Sequence, residues 1–130
     1  MLLLFPILAQ AETSTQCQMY YITAKHGHTE IPVSSDHSFS ITNTTGSTKT
    51  YHVTYTNEVM YTSPWYSPIA KKVFDVTIAN GQTINEPTER LMQSAYFSVA
   101  GTYPTKATTT IKLDGKLLAS CTNKNTASIF

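Results

Sequence analysis

At 130 residues the chain has room for one ordinary domain and not for two. Nine Lys and Arg stand against eight Asp and Glu, and charged residues make up 13% of the chain, well below the roughly 25% of typical globular domains. With a single arginine, Arg90, and no basic run, the composition argues against nucleic acid as a partner and against an electrostatic grip on anionic membranes, leaving room only for a local patch.

The chain opens on Met1-Leu2-Leu3-Leu4-Phe5-Pro6-Ile7-Leu8, followed by Ala9-Gln10-Ala11. An apolar run closed by an A-x-A site has the form of a secretory signal peptide, here residues 1–11, with cleavage before Glu12. The run is too short for a bilayer span, which takes roughly 20 apolar residues. No Lys or Arg precedes it, so the true start is expected a few residues upstream; a buried N-terminal strand is the competing reading. Residues 12–130 are then expected to form one exported domain, in the periplasm or outside the cell. No second apolar run exists to insert the mature chain in a membrane.

Cys17 and Cys121 are the only cysteines. In an exported chain an isolated pair predicts one disulfide, with two buried thiols as the alternative. Polar residues precede Cys17, unlike the apolar run that precedes a lipid-anchored cysteine. Next comes His26-Gly27-His28. On a strand, two histidines at this spacing project to one face, where both imidazoles can reach a copper or zinc ion. Glu30 continues that face, and Met19, Asp36 and His37 lie near in sequence. No spacing fixes a third ligand, and a solvated polar loop or strand face is the plainer account.

Thr, Tyr and Val dominate the rest, and they recur with period two. Phe39 and Ile41, then Tyr51, Val53 and Tyr55, then Phe74, Val76 and Ile78, then Phe97 and Val99, then Ile111 and Leu113 each alternate with polar residues. Each set reads as a strand with one buried and one wet face. Thr45-Gly46-Ser47, Asn80-Gly81 and Asp114-Gly115 supply turns between them, the last being the strongest hairpin signal. A two-residue turn there puts Ile111 opposite Leu118. A three-residue loop puts it opposite Leu117 and gathers Ala119 and Cys121 on its face, and this second register is preferred. Asn43-Thr44-Thr45 matches the N-glycosylation pattern, which is short enough to arise by chance.

Two segments break the alternation. Tyr61-Thr62-Ser63-Pro64-Trp65-Tyr66-Ser67-Pro68-Ile69-Ala70-Lys71-Lys72 brackets the only tryptophan with prolines and reads as a long loop or an edge. Tyr61, Trp65 and Tyr66 are residue types that anchor a protein or stack on a sugar. Alternatively, Trp65 folds back and plugs one end of the domain. Pro87-Thr88-Glu89-Arg90-Leu91-Met92-Gln93 is the one candidate helix, two turns at most, with an early proline and acid suited to a helix start.

Six to eight short strands with regular turns predict an antiparallel β-sandwich or a small barrel, with at most one short helix, and the sandwich is preferred because few strands are long enough to coil around a barrel. The run from Phe39-Ser40-Ile41-Thr42-Asn43 through Tyr51-His52-Val53-Thr54-Tyr55 resembles the paired strands of bacterial immunoglobulin-like domains, and is loosely similar to the first domain of periplasmic pilus chaperones. The resemblance covers about a third of the chain and implies an immunoglobulin-like fold. It does not carry the chaperone activity, which uses two domains and a basic pair in the cleft between them. The eight carboxylates form no recognisable acid–base pair, and there is no G-x-S-x-G elbow, glycine-rich phosphate loop or C-x-x-C. The expectation is therefore a non-enzymatic envelope or secreted domain, without a cofactor, that binds a protein or a glycan. A small periplasmic copper- or zinc-binding protein using His26 and His28 is the rival.

Overall fold

The computed structural model describes residues 11–130; the leader expected at residues 1–11 lies, apart from Ala11, outside them. The described residues form eight strands and no helix, so none is long and apolar enough to cross a membrane. In chain order the strands are β1 (Glu12–Met19), β2 (Ile22–Ala24), β3 (Ile31–Thr42), β4 (Lys49–Thr62), β5 (Trp65–Ile78), β6 (Thr83–Ala95), β7 (Gly101–Leu113) and β8 (Lys116–Ile129). One sheet has the order β1-β3-β6 and the other β2-β8-β7-β4-β5. Every pairing is antiparallel except the short parallel one between β2 and β8. The all-β sandwich expected from the period-two pattern is the observed architecture.

The alternation does the sorting. On β4, Tyr51, Val53, Tyr55 and Val59 are buried, while His52, Thr54, Thr56 and Glu58 face outward. The inward residues of the two sheets form two apolar clusters rather than one. Phe39, Ile41, Tyr51, Val53, Tyr55 and Ile111 belong to the first. Met19, Val33, Val59, Phe97, Ala107 and Ile129 belong to the second. Between them lie four buried polar residues, Ser35, His37, Asn57 and Thr109.

Several local expectations are corrected. Residues 87–93 are not a helix but the middle of β6, paired with β3. The proline is tolerated because β6 is an edge strand, and because the register shifts there: His37 pairs with Glu89 and Phe39 with Glu86, leaving Pro87 and Thr88 together against Ser38. The strands at Phe39 and Tyr51 are not hydrogen-bonded partners; they lie in opposite sheets, and Thr45-Gly46-Ser47 lies in the arch that crosses between them. Asn43 holds that arch from inside. Its Nδ2 donates to Ser47 O and Ile78 O, and its Oδ1 accepts from the Thr45 amide and hydroxyl. A fully buried side chain so engaged is not displayed as a glycosylation acceptor.

Of the two readings of residues 61–72 the long loop is wrong and the edge is right: β4 and β5 form a hairpin whose turn is only Ser63-Pro64, and β5 is an edge strand of its sheet. Phe97 and Val99 lie in the connection from β6 to β7, with Phe97 buried and Val99 exposed. The last hairpin takes neither expected register. Its two-residue turn, Asp114-Gly115, has positive φ at both positions, as the mirror-image hairpin turns require. A bulge after Lys112 then sets Ile111 opposite Ala119 and Thr109 opposite Cys121. The bulge achieves what the three-residue loop was expected to do: it turns Cys121 toward the other sheet.

Candidate functional site

At one end of the sandwich the β4–β5 turn, the β6–β7 connection, the turn after β2 and the end of β8 come together. Backbone bonds tie the last three: Gly27 N donates to Phe97 O at 2.9 Å, and His26 N donates to Phe130 O at 2.9 Å. Rings tie in the first. Tyr61, Phe97 and Tyr103 pack with centroids 5.0–6.2 Å apart, and the Tyr103 hydroxyl donates to Val99 O. Trp65 stands beside this cluster with 72% of its surface exposed, so it does not plug the end of the domain. Tyr96 and Val99 are also more than half exposed. Tyr66 carries the ammonium of Lys106 over its ring at 4.1 Å. This aromatic pole gathers the three residues singled out from the sequence and adds Tyr96, Phe97 and Tyr103. Tyr96 and Phe97 were hidden because 96–100 reads as a strand.

The histidine pair lies at the same pole but not on a strand. His26 and Gly27 form a turn, with Gly27 at φ 82°, and the strand geometry that would aim both rings one way is absent. His26 Nδ1 is hydrogen-bonded to Phe130 O at 2.8 Å, which occupies one ring nitrogen. No group of three or more His, Cys, Asp or Glu able to hold a metal ion occurs among the described residues. Calorimetric titration with copper or zinc is expected to give no site tighter than micromolar, because tight sites need three or four ligands with outer-shell support. A nanomolar one-to-one site abolished by His28→Ala would contradict this.

Cys17 and Cys121 are bonded to each other, joining β1 to β8 and hence one sheet to the other, with Cα atoms 6.2 Å apart. A disulfide is chemistry of an oxidising, extracytoplasmic compartment. Beside it runs a polar belt absent from the sequence reading. His37 pairs with Cys17 on the adjacent strand, and Thr109 with Cys121. Asn57 Nδ2 donates to Ser35 Oγ at 3.0 Å, and Ser35 Oγ lies 2.7 Å from His37 Nε2. His37 Nδ1 lies 2.8 Å from Thr109 Oγ1, and that hydroxyl donates to Gln16 O at 3.1 Å. Since the Thr109 proton goes to Gln16, Nδ1 must donate, and Nε2 accepts from Ser35. Every member is satisfied only with a neutral imidazole, which also stacks on Tyr55 at 4.8 Å. Burial pushes the His37 pKa down to about 4 against the smaller opposing pull of Asp36 and Glu89. Asp36 itself, beside Arg90, is held below the usual carboxylate range. The belt side chains are buried, and a surface groove lined by Gln16, Gln18, Asp36, His37, Ser38 and Thr88 lies against the His37 and Cys17 pair. Its side chains hydrogen-bond one another across the two sheets, while the pole exposes Trp65, Tyr96 and Val99.

No family model matches the chain, and no curated protein matches it. Among solved structures it is similar to part of a β-glucuronidase from glycoside hydrolase family 2, with 14% sequence identity and a TM-score of 0.49 over 88% of this chain. The chain spans 11% of that enzyme's length, and at this level the likeness carries no argument about activity.

Proposed function

We propose that the chain is an exported, immunoglobulin-like, non-enzymatic binding domain of the cell envelope or its surroundings, and that its aromatic pole contacts a protein or a glycan. The observation that carries this reading is Trp65, 72% exposed at a hairpin tip and flanked by Tyr61 and Tyr66. An exposed tryptophan contributes little to folding, yet large rigid aromatics are the residues that dominate binding surfaces. The disulfide supports export.

Trp65→Ala tests the reading. Its unfolding free energy is expected to stay within about 0.5 kcal/mol of the parent, as for surface substitutions generally. Capture of partners from an envelope extract, and binding on a glycan array, are expected to fall at least tenfold. As the only tryptophan, Trp65 also reports directly, and its emission is expected to shift when a partner binds. Near-native stability with every partner retained refutes the proposal.

A further inference from the structure

The charges are segregated by sheet in a way the near-neutral total conceals. Strands β1, β3 and β6 carry four carboxylates, one arginine and no lysine. The five strands of the other sheet carry seven lysines and two carboxylates. On β7 the residues at Ala107, Thr109 and Ile111 point into the core, so Lys106, Thr108, Thr110 and Lys112 point out. Register extends this outer face across the sheet. Lys106 lies between Glu58 and Lys124, and Thr108 between Thr56 and Thr122. Lys71 continues the threonine row on β5.

Two observations separate this face from an ordinary wet surface. Lys106 and Lys124 sit directly opposite each other across β7 and β8, an arrangement that destabilises a sheet. None of them is in ion-pair contact: Lys71, Lys106, Lys112 and Lys124 take part in none of the ion pairs among the described residues, and although Glu58 is the register partner of Lys106, the Lys106 ammonium rests on Tyr66 instead. The second is the chemistry between the lysines. Thr54, Thr56, Thr108, Thr110 and Thr122 form a lattice of hydroxyls with no side-chain hydrogen bond among the described residues, on strands about 4.8 Å apart and rows about 6.7 Å apart.

From this we infer that the outer face of the five-stranded sheet binds an acidic polysaccharide, a sugar chain bearing carboxylates or sulfates. The lysines supply point charges for the anionic groups, and the threonines exchange hydrogen bonds with sugar hydroxyls. Other polyanions fit less well. The face has no arginine fork, and its one cationic ring contact, at Tyr66, lies at the border toward the pole, whereas nucleic acids draw on both. A membrane surface needs inserted apolar side chains, and large ones are sparse here, chiefly Val73 and Leu117. This inference does not rest on the pole: of its lysines and threonines only Lys106 touches it, through Tyr66.

The test is affinity for heparin and for polygalacturonate, with dextran as the neutral control, measured against salt. The variants are Lys106→Gln with Lys124→Gln, and Lys72→Gln as a control at the opposite edge where Lys72 pairs with Glu89. The parent is expected to bind at least one acidic polysaccharide and not dextran. The double variant is expected to bind about tenfold more weakly, with a log–log salt slope shallower by roughly one to two charges. Lys72→Gln is expected to bind as the parent does, which ties the effect to the outer face rather than to the loss of any one lysine. Removing an opposed like-charge pair is also expected to leave the denaturation midpoint equal or higher. The inference is overturned by failure to bind either polymer or by unchanged affinity of the double variant. Equal binding to duplex DNA, polyglutamate or anionic vesicles, or a loss of stability alongside the loss of binding, overturns it too.

Discussion

Replacing Cys17 and Cys121 together with alanine is expected to lower the unfolding free energy by up to about 4.7 kcal/mol, the chain-entropy value for a closed loop near 100 residues. The bond closes a separation of 104 residues, nearly the whole described chain. Its position adds to the effect. β1 is an edge strand with one hydrogen-bonded neighbour, β3. Its other attachments are few: Met19 N donates to Asn123 Oδ1, Asn125 Nδ2 donates to Met19 O, and Thr109 donates to Gln16 O. Without the covalent link, β1 depends on these bonds, one ladder and the burial of Met19. Against a typical total of about 5–15 kcal/mol, such a loss decides whether the domain is folded under mild heating. Urea denaturation with and without reductant checks the prediction. Reductant should lower the midpoint of the parent and leave that of the variant unchanged. A variant midpoint equal to that of the oxidised parent rules the prediction out.

Acid should weaken the fold through His37 in a defined window. In the unfolded chain an imidazole titrates near pH 6.5, and in the native protein His37 does so near 4. Its folded pKa is depressed, so the stability linked to its neutral form is complete above pH 6.5. That stability declines as pH falls from 6.5 toward 4, because the unfolded state takes up a proton the native state refuses. The full effect of one such group is about 3 kcal/mol, levelling off below pH 4. Asp36, held below the usual carboxylate range, adds its own loss only at still lower pH. His37→Gln removes the titrating group while retaining polar atoms in the belt. Its stability is expected to be lower at neutral pH and flat between pH 6.5 and 4. The slope is the readout, so the variant's lower baseline does not confuse the result. An undiminished slope in His37→Gln assigns the acid sensitivity elsewhere.

Period two was legible at Phe39, Tyr51, Phe74 and Ile111, and it correctly gave strands and inward faces. It carries no information about which sheet a strand joins. The Phe39 and Tyr51 strands therefore passed for neighbours, although the turn between them is an arch held by Asn43. Residues 87–93 carry helix-start chemistry, but an edge position and a bulge remove the usual objection to proline in a strand. Trp65 was undecidable between plug and display because two prolines hide a tight hairpin. The belt was legible in principle. Ser35 and His37 continue the inward series of Phe39 and Ile41, Asn57 continues that of Tyr55, and Thr109 that of Ile111. Polar residues at inward positions read as breaks in a pattern until their partners on the facing sheet are known. Those partners are 72 residues away for His37 and 22 for Asn57.

The belt also answers a question that alternation leaves open. A strand may not slip by one residue without turning inside out, but a slip of two preserves every inward and outward assignment. Runs such as Thr54 to Thr56 and Thr108 to Thr110 offer no resistance to it, since their outer faces look alike in either frame. The inner faces do resist. Moving β4 by two residues would carry Asn57 to the place of Tyr55 or Val59, inside an apolar cluster and away from Ser35 and Leu91. Moving β3 would strand the imidazole from Thr109 in the same way. A buried polar group without partners costs on the order of 1–3 kcal/mol, and one slip orphans several at once. One row of unlike residues thus indexes β3, β4 and β7 against one another, giving threonine-rich strands a single frame in which to pair.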